Sequence, residues 1–592
     1  MATPSPPDSP LRLRVRLPAL GPQGERDNFF VGAWHPSRSL SVDWASSEHP
    51  SIRWIGRRNW VLVSATEPRQ GLGLVHEDTR GGGTAFRGYV LPDVHSYSPG
   101  AVICESWLDI TAARNGVFSA AVVGRDGASL VLATDLFGMG TLYWRRLPCG
   151  VVLFATNPRY LAYPNDEADW LAWRCLVQTS WIGSDRSLTA GVQRVPAGQT
   201  LTFSGSGEPA LSSPAWAALP EGSQRIDSRT LAQVEQAFQQ AVDRCLRVRG
   251  GSVMLPLSSG FDSRRVLAAL LHRKVDFTAV TYRALQQGHR DLDARFASQM
   301  ARDFGFPHLV VDTSDAQYID DDISRRALVD AETREHTWSM RVHSVLSHGC
   351  DVFFDGIAGD ILGDPVGWLK LTKLAIAERT PENEIESIVL QAVRSDFDGV
   401  LAHAAWPSAE DVRADLRPYL RRLLRRANLG ELAFLLLRQR RAIALWSQQL
   451  APPGVVPLYP YLDTDYLRAT LALSSEDKHR TNLQRSCLRD FWPEFYRYSG
   501  NRDIPPDMPF GSPARDELRT VRCLERLHQE LQSAGAVPQL RELLTSKGKL
   551  MFAASRSIPL LAVRWAWCLL PLMELVSRQA HRVAVWEPVD AS

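Results

Sequence analysis

The chain reads Val253-Met254-Leu255-Pro256-Leu257-Ser258-Ser259-Gly260-Phe261-Asp262-Ser263 where an apolar run gives way to a polar turn. The apolar run predicts a buried strand, and Arg264–Leu271 predicts a helix after the turn. Backbone N–H groups at a helix N-terminus are unpaired and the helix dipole favours negative charge there, so such a turn can cradle phosphate. Gly260 permits close approach, the serines add donors, and Asp262 can hold a divalent cation. The turn lacks the Gly-Lys-Ser/Thr ending of the common phosphate loop, so we predict a site shaped for a pyrophosphate group.

Strand and helix patterns alternate on both sides of this turn. Further strands are predicted at Phe277–Tyr282, His308–Asp312 and Asp351–Asp355. The intervening helices are predicted near residues 264–273, 291–304 and 335–349. Such alternation indicates an α/β domain with a parallel, doubly wound sheet that binds its ligands at the C-terminal ends of the strands. After residue 369 the chain reads as mostly helical, with an Arg-rich stretch over residues 417–441.

The first third of the chain has a different pattern. Residues 28–203 are β-rich, with strand-like runs at 116–123, 129–134 and 150–156, and an Asp-Gly turn between the first two. Residues 1–27 are predicted to be a disordered tail, and the Ser-, Pro- and Gly-rich residues 204–226 a linker. Residues 227–520 then form the α/β domain and residues 521–592 a C-terminal helical segment.

Length and composition limit the number of domains, the kinds of partner and the cellular location. A chain of 592 residues is long enough for two or more domains. Its 67 Lys and Arg residues nearly balance its 65 Asp and Glu residues, so charge gives no argument for nucleic acid as a partner. The eight cysteines include no Cys-x-x-Cys pair, which suits a reducing cytoplasm. The apolar stretch at Ile558–Val576 contains Arg564, Pro571 and Glu574, so we expect no membrane span and a cytoplasmic location.

Several segments resemble the asparagine synthetase-like amidotransferases and occur in that family's order. The turn at Ser258–Ser263 resembles its Ser-Gly-Gly-x-Asp-Ser pyrophosphate loop, with Ser259 in place of the first Gly. The likeness covers roughly residues 85–515. The other matching segments are Asp135–Trp144, Gly191–Gly198, Asp351–Asp364 and Pro460–Asp463.

The resemblance implies a fold and a reaction. The fold would be an N-terminal glutaminase-like (Ntn) αββα sandwich followed by a PP-loop ATP pyrophosphatase domain with a helical extension. The reaction would use ATP and Mg²⁺ to convert a small-molecule or peptide carboxylate into an acyl-adenylate, with release of pyrophosphate, before an amine or ammonia forms the amide. By resemblance Mg²⁺ would bind Asp262 and Asp360. The positions that would bind ATP and pyrophosphate are Leu257, Ser258, Ser259, Gly260, Phe261, Asp262, Ser263, Val280, Asp355 and Gly356.

The N-terminus departs from the family's glutamine-dependent members. Those members carry Cys directly after the initiator Met, whereas this sequence reads Met1-Ala2-Thr3 and its first cysteine is Cys104. An N-terminal nucleophile cannot be supplied from mid-chain. We therefore expect an inactive glutaminase-like domain, as in β-lactam synthetases and the cyclases that close lasso peptides. The nitrogen would then come from ammonia or from an amine of the substrate.

Two departures concern the amide-forming step. Ile357 stands where many relatives have Glu or Tyr, and it can neither accept a proton nor donate a hydrogen bond. The segment at residues 501–511 offers Arg502 but no Lys, so Arg502 is the candidate catalytic residue, able to stabilise charge but not to shuttle protons. Ammonia-dependent asparagine synthesis and a nucleotide-binding scaffold without activity remain alternatives. Trp338, Trp368 and Trp446 are candidate liners of the substrate pocket, and an oligomer is possible.

Overall fold

A computed structural model defines the fold. The residues that the structure describes are 10–16, 29–44, 52–65, 75–77, 82–91, 115–179, 181–248, 250–283, 291–312, 314–333, 335–346, 349–365, 407–424, 426–445, 455–498, 513–557, 559–582 and 584–589. Predictions for Arg502, Trp368, Trp446 and Cys104 concern residues outside these ranges. Within the described residues no helix is long and apolar enough to cross a membrane.

The N-terminal region contains two antiparallel sheets of six strands. The first has the order β12-β10-β11-β2-β5-β4 and the second the order β14-β13-β9-β8-β7-β6. Their strands are β2 (Phe29–Trp34), β4 (Ile52–Arg57), β5 (Trp60–Ala65), β6 (Val75–Glu77), β7 (Gly83–Val90), β8 (Gly116–Val123), β9 (Leu130–Thr134), β10 (Tyr143–Arg146), β11 (Val152–Ala155), β12 (Gln193–Arg194), β13 (Thr200–Phe203) and β14 (Ala210–Leu211).

The two sheets pack face to face. Phe30 and Phe154 of the first sheet and Ala121 and Leu132 of the second belong to one fully buried cluster between them. The outer face of the first sheet is covered by a small third sheet of order β20-β1-β3, formed by Leu11–Val15 (β1), Leu40–Trp44 (β3) and Trp586–Pro588 (β20). The β-sandwich expected for this region is confirmed, and among the described residues before 204 its α-helix is Trp170–Thr179 (α1).

The second region is built on a parallel sheet of five strands. Their order is β17-β16-β15-β18-β19, and the strands are Val253–Pro256 (β15), Phe277–Arg283 (β16), His308–Asp312 (β17), Val352–Phe354 (β18) and Val456–Leu458 (β19). All four neighbouring pairs are parallel. The doubly wound α/β domain predicted from the alternating pattern is therefore confirmed, with each predicted strand within a residue or two of its observed bounds.

Helices cover both faces of this sheet. The first ones are Ser228–Val248 (α2), Phe261–His272 (α3), Asp291–Phe304 (α4), Asp315–Leu328 (α5), Ser339–Leu346 (α6) and Gly359–Gly363 (α7). Later α-helices are Ala409–Arg421, Leu429–Ala433, Thr464–Leu471, Ser475–Thr481, Leu483–Phe491, Pro493–Tyr496, Pro513–Ser533, Val537–Glu542, Ser546–Ser557 and Pro559–His581, and Phe434–Ile443 is a π-helix. The apolar side chains of α2 at Leu231, Val234, Phe238 and Val242 are buried, as their spacing of three or four residues predicts.

Two predicted boundaries need correction. Residues 1–27 were expected to be disordered, but Leu11–Val15 forms β1, which pairs with both β3 and β20. Its alternate side chains Leu13 and Val15 are buried in the N-terminal core, and this burial stabilises the strand. Residues 204–226 were expected to be a linker, but they contain β14 and a buried Trp216, whose indole N–H donates to the Ala197 carbonyl.

Direct hydrogen bonds join the two regions close to the parallel sheet. The Tyr459 N–H, just after β19, donates to the Tyr89 hydroxyl of β7 at 3.0 Å. The Asn115 side chain donates to Asp463 Oδ2 at 3.0 Å and accepts from the Thr464 N–H. The N-terminal sandwich therefore contacts the segment that follows the last strand of the parallel sheet, at the carboxyl edge where ligands are expected.

Candidate functional site

The order of strands in the parallel sheet changes direction between β15 and β18. From β15 the chain proceeds outward to β16 and β17 on one side, and then returns to β18 and β19 on the other. Helices that leave two adjacent strands on opposite sides open a crevice at their carboxyl ends, and in α/β proteins this crevice is the usual ligand site. Here the crevice lies between the turn after β15 and the turn after β18.

The turn after β15 contains the sequence predicted to bind pyrophosphate. Ser263 Oγ accepts from the Ser258 N–H at 3.1 Å and lies 3.0 Å from Ser258 Oγ, which itself accepts from the Gly260 N–H. Gly260 is the N-cap of α3, so no side chain caps this helix. The turn is thus held by its own serines, while the first-turn amides of α3 from Phe261 onward face the carboxyl edge of the sheet, the arrangement that suits an anion.

Ser259 has partners that the sequence did not predict. Its N–H and its hydroxyl both donate to Asp293 Oδ1 of α4, at 2.8 and 2.6 Å. Ser259 is fully buried, and its carbonyl accepts from the Arg264 guanidinium at 2.6 Å. Its two donors are therefore directed to a carboxylate, so its expected contact with phosphate stays a prediction.

Asp262 lies against the turn that leads to Asp360. A Cβ atom built on Gly359 would lie 2.6 Å from Asp262 Cγ, and one on Gly356 would lie 3.3 Å from Asp262 Cβ. Asp360 is in the first turn of α7 and is exposed. The two carboxylates thus occupy the same edge of the sheet on neighbouring turns. Oxygen ligands of this kind suit Mg²⁺, and a bound triphosphate would add more, so a shared ion stays a prediction that this arrangement fits.

No cluster of three His, Cys, Asp or Glu side chains able to hold a metal occurs among the described residues. The backbone at Asp262 is held by a hydrogen bond from an uncharged side chain. Its carbonyl accepts from the Tyr461 hydroxyl at 2.9 Å, and Tyr461 is part of the Pro460–Asp463 segment that carried the resemblance. Asp463 in turn caps the helix Thr464–Leu471 and pairs with Arg244 at 2.5 Å, so this motif has a structural role.

Asp355 directly follows β18 and is almost completely buried. Its exposed fraction is 6%. Oδ1 accepts from the Ile357 N–H at 3.0 Å, but Oδ2 is buried with no hydrogen-bond partner. Burial raises the pKa of Asp355 to about 7, and the Ile357 N–H bond opposes the rise only in part. The next residue, Gly356, faces Asp262, so the buried carboxyl is one residue from the candidate metal site.

The remaining predicted positions lie on the other side of β15. The Leu257 N–H donates to the Val280 carbonyl at 2.8 Å, and the Leu257 carbonyl accepts from the Thr281 hydroxyl at 2.7 Å. Both residues are buried at the carboxyl edge of the sheet. They therefore form the floor of the crevice, and Val280 and Leu257 already use part of their backbone hydrogen-bonding capacity on each other.

Further side chains that the sequence did not predict hold the α7 turn in place. Gln484 Nε2 donates to the Gly359 carbonyl at 2.8 Å. Gln484 Oε1 accepts from Arg265 of α3 at 2.7 Å, and Arg265 is buried in an ion pair with Glu235 of α2. These residues are far apart in the sequence and form no motif. The network links the turn before Asp360 to α3, which begins at the turn Ser258–Ser263, the turn that we call the phosphate turn.

Comparisons with known proteins match part of the chain to a family model. Residues 233–494 match the asparagine synthase family model. A search of curated proteins finds no match. The similar solved structures include the U34-tRNA thiolase NcsA from Methanococcus maripaludis, at 13% identity and a TM-score of 0.19, covering 36% of this chain and 78% of that one.

Two further structures are similar over a longer part of the chain. The first is the allosteric regulatory enzyme of purine biosynthesis, at 10% identity and a TM-score of 0.20 over 49% of this chain and 75% of that one. The second is the glutamine phosphoribosylpyrophosphate amidotransferase from B. subtilis, at 10% identity and a TM-score of 0.18 over 57% and 71%. These scores are too low to carry an argument. The family model, the parallel sheet and the paired turns agree, and residues 233–494 therefore form a domain of the asparagine synthase family.

Proposed function

We propose that the chain is an ATP-dependent ligase that activates a carboxylate as an acyl-adenylate, releases pyrophosphate and transfers the acyl group to an amine or to ammonia. One observation supports this most directly: the phosphate turn and the turn before Asp360 lie side by side at the sheet's switch point. A triphosphate and a carboxylate-bound cation need to meet at one place for this chemistry, and adjacent parallel strands supply that place.

Polar groups of the two turns have two kinds of role in the proposal: some bind phosphate and others hold the cation. The amides at the start of α3 and the hydroxyls of Ser258 and Ser263 bind the β- and γ-phosphates. Asp262 and Asp360 would hold Mg²⁺, which when bound offsets the negative charge that develops on departing pyrophosphate. Tyr461 keeps the Asp262 backbone in position through its 2.9 Å hydrogen bond.

The group that removes the proton from the amine is not supplied by Ile357. Ile357 is buried and has no titratable atom. Lys478, the lysine closest along the chain to residues 501–511 on their N-terminal side, is fully buried in an ion pair with Glu431 at 2.5 Å, which assigns it a structural role. Arg502 stays our candidate for stabilising charge in this step, and the proton acceptor must come from another group.

The test is a pyrophosphate-exchange assay. Wild-type protein with MgATP and a panel of carboxylates should incorporate labelled pyrophosphate into ATP for at least one carboxylate, and should release pyrophosphate rather than orthophosphate. Asp262→Ala and Asp360→Ala should each lower exchange by about 100-fold or more, because each removes one carboxylate from the charge-compensating site.

Asp312→Ala is the matched control for these variants. Asp312 is an exposed carboxylate at the end of β17, on the same edge of the same sheet, where it pairs with Arg283 at 2.6 Å. An exposed pair contributes little to stability, so exchange should stay within about twofold of wild type. Orthophosphate release without pyrophosphate, or equal losses in all three variants, would contradict the proposal.

A second candidate is a nucleotide-binding scaffold without ligase activity. It is favoured by Ser259, whose two donors are occupied by Asp293 rather than directed to the crevice. Such a protein would bind MgATP and show no exchange with any carboxylate. Ammonia-dependent asparagine synthesis, the third alternative, is tested by adding aspartate with ammonium or with glutamine and measuring asparagine.

A further inference from the structure

Three fully buried arginines lie where the N-terminal sandwich meets the π-helix Phe434–Ile443. They are Arg194 of β12 and Arg440 and Arg441 of the π-helix. Arg194 Nη1 donates to the Arg440 carbonyl at 2.9 Å, and Arg194 Nη2 donates to the Gly138 carbonyl at 2.7 Å. Guanidinium groups from the two regions of the chain therefore meet away from solvent.

The carboxylates that contact these arginines are fewer than the arginines. Among the described residues, Arg440 pairs with Asp185 and Arg441 contacts Glu332 at 3.4 Å. In the same part of the chain Arg194 forms no ion pair, and its guanidinium donates to the two backbone carbonyls. The pKa of Arg194 is lowered to about 10, first by burial and then by the positive charges of Arg441 and Arg440. Arginine stays protonated at neutral pH, so this buried charge needs a counter-ion.

The other carboxylates close to these arginines do not supply that counter-ion. Asp169 and Asp415 both pair with Arg186, at 2.9 and 2.8 Å. The Arg186 side chain is 42% exposed, so this group of charges is partly solvated and lies at the edge of the cluster.

Four nitrogen atoms of the three arginines are buried and have no hydrogen-bond partner among the described residues. They are Arg194 Nε, Arg440 Nε, Arg440 Nη1 and Arg441 Nη1. A buried donor without an acceptor destabilises the fold, so such a group indicates a bound molecule. These donors belong to cations, and the acceptor that binds them most strongly is an anion.

A cavity of about 30 Å³ lies beside Arg440. Its walls come from both regions and include Pro196, Ala197, Trp216, Tyr419, Leu437 and Arg440. A Cβ atom built on Gly138 would lie 3.3 Å from Arg440 Nη1 and 3.3 Å from Ala197 Cβ, so this unpartnered donor is near the wall that Ala197 forms. A cavity of this size holds one ion as large as a water molecule with at most one water, and it is too small for sulfate or phosphate.

The charged groups that line the cavity are positive on balance. Asp185 is one of them, but its Oδ1 pairs with Arg440 and its Oδ2 accepts from the Tyr419 hydroxyl at 2.8 Å. The others are Arg440 and Arg422, and Arg422 is exposed. Arg440 thus forms the inner, buried side of the cavity and Arg422 the outer side.

We propose that this cavity is a binding site for a small monovalent anion of the size of chloride, held by Arg440 and Arg422. Arg194 and Arg441 attract the anion through their buried charge. Because the walls come from the sandwich and from the later helices, an anion that binds only the folded chain stabilises the contact between them. The inference does not depend on the ligase proposal, since no residue of the phosphate turn or of the turn before Asp360 takes part.

The experiment measures chloride binding by the full chain through broadening of the chloride NMR signal. Wild type should broaden the signal, and bromide should reverse the broadening by displacing chloride. Sulfate at the same ionic strength should reverse it much less, because it does not fit the cavity.

Two variants locate the site. Arg440→Gln removes the buried cation and should weaken chloride binding about tenfold or more. Ala197→Val keeps every arginine and fills part of the cavity with methyl groups, so it should weaken binding to a similar extent. Thermal unfolding checks that each variant is folded, and Ala197→Val decides the question if Arg440→Gln does not fold.

Arg438→Gln is the matched control. Arg438 belongs to the same π-helix, but its side chain is 32% exposed and pairs with Glu335 at 2.8 Å. Its removal changes the net charge as Arg440→Gln does and leaves the cavity intact, so chloride affinity should stay within about twofold of wild type.

Three results would overturn the proposal. Broadening that bromide does not reverse in wild type would show that water, and no anion, solvates the buried donors. Equal chloride affinity in wild type, Arg440→Gln and Ala197→Val would place the bound chloride elsewhere on the protein. An equal loss in Arg438→Gln would show that the effect comes from the overall charge of the π-helix.

Discussion

The two turns of the candidate site approach each other closely because two positions lack side chains. Gly356 and Gly359 both face Asp262, and at Gly359 even a methyl group would lie 2.6 Å from Asp262 Cγ. This is well below an ordinary contact between carbon atoms, so the carboxylate can lie over the turn only when the residue is glycine. Gly359 therefore leaves the space in which the Asp262 side chain lies against the turn that precedes Asp360.

Gly359→Ala tests this role. The methyl group should displace the Asp262 side chain and lower pyrophosphate exchange about 10- to 100-fold, because the carboxylate would no longer lie against the turn that precedes Asp360. The control is Gly349→Ala, three residues before β18, where an added methyl group would meet no atom within 4 Å. Equal exchange by the two variants would show that the alignment of Asp262 is not needed.

The buried carboxyl of Asp355 should make stability depend on pH. Its pKa is raised from 3.8 to about 7, so between these values the folded state binds more protons than the unfolded state. The free energy of unfolding therefore falls as pH rises through this window, by about 1.4 kcal/mol per pH unit at most, and this contribution is constant above it. Asp355→Asn should be more stable than wild type at pH 8, and the difference should shrink toward pH 4. Urea unfolding at both pH values measures it, and an equal difference at both would contradict it.

Sequence reasoning found some residues of the site and missed others for a physical reason. Asp262 and Asp360 follow strands, and strand ends of a parallel sheet share an edge, so their common location could be predicted. The contact of Asp293 with Ser259 joins two elements 34 residues apart and depends on how α4 is rotated on the sheet. The unpartnered oxygen of Asp355 depends on burial and local contacts, which no spacing of residues encodes.

At the level of elements, the phosphate turn is attached to α4 through one carboxylate. Asp293 Oδ1 accepts both the Ser259 N–H and the Ser259 hydroxyl. Hydrogen bonds to a charged group are stronger than those between neutral groups, typically about 1.5–3 kcal/mol. The turn is thus fixed to α4 as well as to α3, the helix that follows it, and these bonds restrict its movement.

A double-mutant cycle measures this attachment. Ser259→Ala should lower the free energy of unfolding by about 1–2 kcal/mol and Asp293→Ala by more, because the second variant removes both acceptor contacts and leaves the Ser259 donors unpaired. The double variant should cost little more than Asp293→Ala alone, since both changes remove the same hydrogen bond. Strictly additive losses in denaturant unfolding would show that the two side chains do not interact in solution.

The Arg-rich stretch at residues 417–441 differs from what its sequence pattern predicts. Arginines at helical spacing are usually solvated, but Arg440 and Arg441 are buried, and Phe434–Ile443 is a π-helix. Arg440 pairs with Asp185 and Arg441 contacts Glu332 at 3.4 Å. These partners lie more than 100 residues away, so their pairing could not be predicted from local sequence, whereas the alternation of strands and helices could.

At the scale of the whole molecule, strand β1 near residue 11 pairs with strand β20 near residue 586. Trp586 of β20 is fully buried, pairs with Val15 of β1, and donates its indole N–H to the Tyr160 carbonyl at 2.9 Å. The resulting three-stranded sheet covers the outer face of the first N-terminal sheet. The sequence predicted neither strand, because each is short and pairs with strands distant in the sequence.

Trp586→Ala should therefore destabilise the N-terminal sandwich. Loss of a fully buried tryptophan leaves a cavity and costs about 3–5 kcal/mol. Trp54→Ala is the matched control, because Trp54 of β4 is 60% exposed and its removal should cost much less. Hydrogen exchange of β1, β3 and β11 should increase in Trp586→Ala and stay unchanged in Trp54→Ala. The same exchange in both variants would contradict the role of Trp586 in holding β1 and β20 on the sandwich.

This closure has a consequence for the order of folding during synthesis. β1 is translated before its antiparallel partner β20, and residues 233–494, which match the asparagine synthase family model, are translated between them. The nascent sandwich must therefore wait with one apolar surface uncovered, a period in which a chaperone could bind it. Translational pauses or premature stops ahead of codon 586 should leave this half of the product prone to aggregation even when the region of the parallel sheet is already complete.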